Sequence, residues 1–293
     1  MQRITPRTLP TLLSAVCLVL LLLPFTLSAQ ALDVEYYGVF KQGGLMIGKV
    51  DPSSKVALDG RSVEVSTEGF FVAGFGRDAE QMKTLAVSNQ NGETHEVALN
   101  IEQRDYAIQR IEGVPQRTVT PSESSLKRIR SETAMVKDAR KKILARLDFL
   151  ADFIAPANGS ITGVYGSQRV YNGVPKRPHY GIDYAGPVGA PVIAPADGVV
   201  TLTHSDMYYS GGTLIIDHGL GLSSTFIHLS EVLVEKGQEV EKGQTIAKIG
   251  KGGRATGPHL DWRMNWLDER IDPALMLELE LPEAFSRAAL SSE

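Results

Sequence analysis

The sequence predicts a mainly β protein: an N-terminal antiparallel β-sandwich, a long linker helix and a C-terminal β-barrel or sandwich. Three observations carry this. Runs of β-branched and aromatic residues broken by turns flank residue 120 on both sides. One stretch between them has helical spacing. The 28 glycines and 15 prolines of the 293-residue chain sit mostly in turn-like settings. Such a length holds one large domain or two ordinary ones. With 43% hydrophobic and 22% charged residues the chain is globular, and a net charge of -4 gives no electrostatic footprint for nucleic acid.

Residues 1–31 read as a secretory signal peptide. Arg3 and Arg7 form a positive start, Thr11 to Leu27 is apolar, and Ala29-Gln30-Ala31 is a small-x-small cleavage site, so cleavage is expected after Ala31. An uncleaved anchor is the alternative, opposed by Pro24 and by the shortness of the run. Removing the two arginines leaves 28 basic against 34 acidic residues, about -6. The only cysteine, Cys17, leaves with the leader, and the apolar run past it argues against lipid attachment. A mature chain without cysteine or membrane span must hold any metal through His, Asp or Glu.

Residues 32–116 read as a β domain of seven strands or fewer. Gly44-Leu-Met-Ile-Gly-Lys-Val and Phe70-Phe-Val-Ala-Gly-Phe are strand-like, and Asp59-Gly60 and Asn91-Gly92 are hairpin signals. Its one histidine, His95, reads as a surface residue. Residues 117–156 form the linker. Thr120-Pro121-Ser122-Glu123 is a helix start, and Leu126, Ile129, Val136, Ile143, Leu147, Leu150 and Ile154 predict one amphipathic helix of about thirty residues ending near Pro156. Its basic run, Arg140-Lys-Lys with Arg146, reads as a solvated face, and the helix as a spacer between domains.

Residues 157–275 return to β signals, and a glycine-turn repeat spans Val234 to Gln244. Residues 276–293 are a tail in which Leu275, Leu277, Leu279 and Leu281 fit a strand or, in part, a helix. Five of the six histidines lie in this half: His179, His204, His218, His228 and His259. His218 reads as a turn or structural residue and His204 as surface. If Leu260 begins a strand, His259 and Asp261 project to one side, as a metal shell or a proton-transfer pair, while Trp262 and Trp266 pack in the core. His179 and Asp183, held by a strand or bent loop, would with Asp261 make three zinc ligands and leave a position for water. Arg169 has two readings, a binder of substrate carboxylate or a surface ion pair.

The run Arg177-Pro-His-Tyr-Gly-Ile-Asp-Tyr-Ala-Gly, then Gly189-Ala-Pro-Val-Ile-Ala-Pro-Ala-Asp-Gly-Val-Val, Phe226-Ile-His228-Leu, and Ala255-Thr-Gly-Pro-His-Leu resemble the ordered motifs of LytM-type (lysostaphin-like, M23) zinc metallopeptidases. The resemblance covers about Ile161 to Pro273 and implies a β-rich domain that hydrolyses peptide cross-links of bacterial peptidoglycan. It implies one Zn2+ held by His179 and Asp183, with His228 and His259 acting on water and the oxyanion. The family's third ligand is the second histidine of His-x-His, and here Asp261 stands in its place. A His-Asp-Asp shell puts two negative charges on the ion and should raise the pKa of bound water. The resemblance thus implies a periplasmic or secreted endopeptidase acting on peptidoglycan peptide stems. The alternative is a degenerate LytM domain that binds peptidoglycan or activates a cell-wall amidase. A lipoyl-type carrier shares the glycine repeat but explains neither the leader nor the histidines.

Overall fold

The computed structural model describes residues 33–113 and 120–286, so the leader predicted at residues 1–31 lies outside the described residues. The first strands are β1 (Glu35–Gly38), β2 (Leu45–Lys49), β3 (Lys55–Leu58), β4 (Arg61–Val63), β5 (Phe70–Gly74), β6 (Met82–Ser88), β7 (Thr94–Asn100) and β8 (Ile108–Ile111). The first seven form two antiparallel sheets, ordered β1-β2-β5 and β4-β3-β6-β7. Asp59 and Gly60 both take positive φ between β3 and β4, the geometry that an Asp-Gly hairpin supplies without strain. Met46, Phe71, Leu85 and Ile101 fill the interior.

The linker contains a helix, α1 (Glu123–Ala139), of 17 residues rather than about thirty. Ser122 caps it by accepting from the Ser125 amide, and it ends at Arg140. Beyond it the chain is irregular, and Phe149, Leu150 and Phe153 each dip into the core. Apolar residues three and four apart arise here from repeated insertion, not from helical turns. Nor is the helix a free spacer. Val136 and Ala139 pack on Leu202, Met207 and Ile215, and buried Glu132 accepts from the Tyr208 amide at 2.8 Å. Of the basic run, Lys141 and Lys142 are exposed as a solvated face requires, but the arginines are not free: Arg140 reaches Thr225 Oγ1 at 2.6 Å, and burial, Arg270 and Arg263 lower its pKa to about 9. Arg146 pairs with Asp148 at 2.5 Å and Glu239 at 2.8 Å.

The remaining strands are β9 (Ile161–Gly163), β10 (Gln168–Tyr171), β11 (Val174–Pro175), β12 (Gly181–Ala185), β13 (Pro191–Ile193), β14 (Gly198–Met207), β15 (Gly211–Gly219), β16 (Leu222–Val232), β17 (Glu239–Val240), β18 (Thr245–Ile249), β19 (His259–Trp266) and β20 (Glu269–Ile271). Ten of them make one mainly antiparallel sheet with the central path β17-β14-β15-β16-β19-β12-β9, and it does not close into a barrel. β8 leaves the N-terminal sheets to pair in parallel with β10.

From Asp33 onward the described chain belongs to one compact unit, and both β regions share a core: Gly74 of β5 packs against Trp266 and Ile271. The C-terminal ambiguity resolves as a short helix, α2 (Pro273–Leu277), capped by Asp272, which accepts from the Ala274 amide. Leu275, Met276 and Leu279 are buried, and Phe285 lies 6.4 Å, ring to ring, from Tyr37. No helix among the described residues is long and apolar enough to cross a membrane.

Candidate metal centre

Side chains two apart on a strand share a face, and β19 puts His259, Asp261 and Arg263 on one side while Leu260, Trp262 and Met264 enter the core on the other. The neighbouring strand β12 sets Asp183 directly opposite Asp261, with Gly181 opposite Arg263. Like charges in that position repel, so the fold has to supply counter-charge. Space for the carboxylates comes from glycine. A Cβ on Gly163 would lie 2.1 Å from Asp183 Oδ2, and one on Gly181 would lie 2.5 Å from Asp261 Oδ1.

His179 reaches the pair from the loop before β12, its amide donating to Ser167 O at 2.8 Å and its Nδ1 to Val164 O at 3.1 Å. That bond turns Nε2 inward as a lone pair. Nε2 lies 3.0 Å from Asp183 Oδ1 and 3.2 Å from Asp261 Oδ2, and one ligand atom from each residue falls within 4.8 Å of the others. The three residues are 2%, 6% and 0% exposed in chain order.

His179 Nε2 and Asp183 Oδ1 are buried without a hydrogen-bond partner, although they are close together. Two orphaned electron-pair donors aimed at one point beside a second carboxylate fit a bound cation, and nitrogen with two oxygens suits zinc. The electrostatics agree in sign. Burial opposes a charged His179, yet Asp261 and Asp183 outweigh it and raise its pKa. Burial and Asp261 push Asp183 up, and His179 and Arg169 more than offset them.

Two arginines complete the arrangement. Arg263 donates to both oxygens of Asp261, and Arg169 donates to Asp183 Oδ2 at 2.7 Å. Arg263, then His179, hold Asp261 well below the usual carboxylate range against its burial. The cost foreseen for a second negative ligand is therefore offset within the strand. Arg263 was missed by sequence reasoning, although its place two residues after Asp261 puts it on the same face. Arg169 is neither a free binder of carboxylate nor a surface pair; it is a largely buried partner of a candidate ligand.

His228 and His259 stand beside the centre with ring centroids 4.7 Å apart. His228 takes φ +64°, and its Nδ1 donates to Gly252 O at 2.8 Å, leaving Nε2 unprotonated. Burial is the main reason its pKa falls to about 4. His259 Nδ1 donates to Gly257 O at 2.9 Å, and its Nε2 lies 3.9 Å from Asp183 Oδ1. A groove of about 500 Å³ opens over Asp183 and His259, with Gln109 and Arg110 of β8 on its rim. His218 is elsewhere, fully buried between Asp197 O and Ser224 Oγ. Trp262 and Trp266 lie in the core as predicted.

A family description, Peptidase family M23, matches residues 177–273, the segment that holds all five of these residues. The chain carries an M23 peptidase domain. This domain is similar to peptidoglycan DD-endopeptidase ShyA of Vibrio cholerae, 45% identical over 109 residues that cover 37% of this chain and 24% of that protein. It is also similar to DD-carboxypeptidase/endopeptidase Mpg of Neisseria meningitidis, 38% identical over 107 residues, 36% of this chain and 24% of that protein. The chain thus matches about a quarter of the length of these curated relatives. A crystal structure from Pseudomonas aeruginosa assigned to peptidase M23 superposes with a TM-score of 0.61 at 28% identity. It covers 83% of this chain and 96% of that one, so the likeness extends beyond the M23 domain into the preceding regions.

Proposed function

We propose that the chain is a zinc-dependent endopeptidase that cuts peptide cross-links of peptidoglycan outside the cytoplasm, in the periplasm after removal of residues 1–31. The observation that carries this reading is the convergence of the buried, unpartnered His179 Nε2 and Asp183 Oδ1 with Asp261 Oδ2. The similarity to peptidoglycan DD-endopeptidases supports the substrate class.

His179, Asp183 and Asp261 would hold the ion, which when bound polarises the amide carbonyl and lowers the pKa of water. Val164 O fixes the His179 ring, Arg169 steadies Asp183, and Arg263 steadies Asp261. His228 is neutral at physiological pH and presents Nε2 as a proton acceptor; once protonated, it donates to the oxyanion or to the leaving amine. His259 offers Nε2 at the mouth of the groove, where it orients the substrate amide. The test is incubation with purified murein sacculi. Chelator-sensitive release of peptide fragments, lost in Asp183→Ala, is the expected result, and full activity in that variant contradicts the proposal.

A second reading is favoured by the two buried guanidiniums. Arg169 and Arg263 already balance both carboxylates, so the pair can persist without an ion, as in a domain that binds peptidoglycan or activates a cell-wall amidase. Stimulation of an amidase by metal-free protein supports that alternative, and chelator-sensitive cleavage by the chain alone excludes it.

A further inference from the structure

Three arginines and one aspartate line the groove among its described residues, and the aspartate, Asp183, is already paired with Arg169. Of the other two, Arg110 is exposed on the rim, and Arg254 is the one drawn partly out of solvent. Among the described residues no carboxylate lies within 4.0 Å of it. Its guanidinium lies close to two rings, with Cζ 4.9 Å from the Tyr171 centroid and 4.7 Å from that of Tyr209. Burial, and after it Arg263 and Arg169, lower its pKa, as befits a cation short of counter-charge.

The loop is built to hold it there. The Arg254 amide donates to Tyr209 O at 2.8 Å, and Gly253, at φ +72°, lies so close that a Cβ would come within 2.4 Å of the same oxygen. Tyr171 is itself tied to Arg169, whose Nη1 donates to its hydroxyl at 3.0 Å. A half-desolvated cation without an acidic partner is unfavourable unless something else supplies the charge. A planar fork steadied by two neighbouring rings is suited to a carboxylate, which it grips through two parallel hydrogen bonds.

We infer that Arg254 is a carboxylate-binding residue of the groove, so that the site selects peptides with a free carboxylate on the residue next to the amide presented to His259. This rests on the endopeptidase reading for the identity of the peptide, but its test reads binding and needs no turnover. The loop that carries Arg254 runs directly into His259, which fixes the spacing between the anchored carboxylate and the amide.

The experiment is calorimetric titration of the purified chain with N-acetyl-D-alanyl-D-alanine and with its C-terminal amide, repeated on Arg254→Gln and Arg254→Lys, with thermal melts to confirm folding. The wild type is expected to bind the acid about tenfold more tightly than the amide. Arg254→Gln should weaken the acid to the amide's level and leave the amide unchanged, and Arg254→Lys should keep part of the difference. Equal affinities in the wild type, no binding of either peptide, or a preference that survives in Arg254→Gln overturns the inference. The last result would place the carboxylate elsewhere, at the candidate metal centre. If Arg254→Gln fails to fold, the wild-type comparison and the lysine variant decide. Acid preference without cleavage of sacculi ends the hydrolase reading and keeps the subsite, whereas cleavage without preference does the reverse.

Discussion

Arg263 closes a two-bond fork on Asp261, from Nε to Oδ1 at 2.9 Å and from Nη2 to Oδ2 at 2.6 Å. The two residues lie two apart on the same face of one strand, and Asp261 is fully buried. The pair is close to neutral, so an aspartate can occupy a position where the resemblance leads one to expect an uncharged imidazole. Without Arg263, Asp261 would face Asp183 across the sheet with only His179 between them.

Removing the guanidinium should therefore be severe. Arg263→Gln leaves a buried carboxylate uncompensated and is expected to cost about 3–5 kcal/mol of unfolding free energy in metal-free protein. Excess zinc should restore part of the loss, since the ion supplies the missing charge. Urea unfolding with and without zinc measures this, and a cost below about 1 kcal/mol would show that Asp261 does not depend on the fork.

A pH effect arises away from the centre, at the adjacent Asp217 and His218. Burial lowers the His218 pKa from 6.5 to about 4, so His218 takes stability away as the pH falls through that window. Burial raises the Asp217 pKa to about 6, so its folded form prefers the proton and the penalty for ionised Asp217 is full at neutral pH and gone below about pH 4. Asp217→Asn keeps an acceptor for the Gly219 amide and removes the charge. It should be more stable than wild type by roughly 2–3 kcal/mol at pH 7, with the difference shrinking toward zero by pH 4. A difference that stays constant across this range would refute the assignment.

Much of this architecture was legible in the residues. The seven N-terminal strands, the Asp59-Gly60 hairpin and the burial of Trp262 follow from period-two patterning and turn chemistry, which are local. The grouping of His179, Asp183 and Asp261, with His228 beside His259, was legible because their motifs are compact. The end of α1 was not, because no glycine or proline marks Arg140, and Phe149, Leu150 and Phe153 mimic a helical stripe while packing into a core that distant strands provide. The pairing of Arg169 with Asp183 was hidden for the same reason: it joins β10 to β12 through the fold. Arg263 could have been found, since a buried carboxylate on a strand raises the question of what charge shares its face.

The glycine at 163 gives a test of how tightly the carboxylates are held. Gly163→Ala places a methyl group 2.1 Å from Asp183 Oδ2 and 3.1 Å from Arg169 Nη2, so the carboxylate must move and the guanidinium must give way. The cost in stability should be about 1–3 kcal/mol. The larger effect is expected on metal affinity, weakened ~10- to 100-fold as the ligand loses its support. Competition with a fluorescent zinc chelator reads the affinity directly, and an unchanged value would mean that Asp183 Oδ1 is not a ligand.

The central claim is that His179, Asp183 and Asp261 form a metal centre although the third residue is an aspartate closed by an arginine. Elemental analysis of the purified chain, beside Asp183→Ala, tests it most directly. One zinc per chain in the wild type and none in a folded Asp183→Ala protein is the result predicted here. A folded wild-type chain that stays metal-free after exposure to zinc would contradict it, and would leave the paired arginines as the permanent occupants of the charge balance.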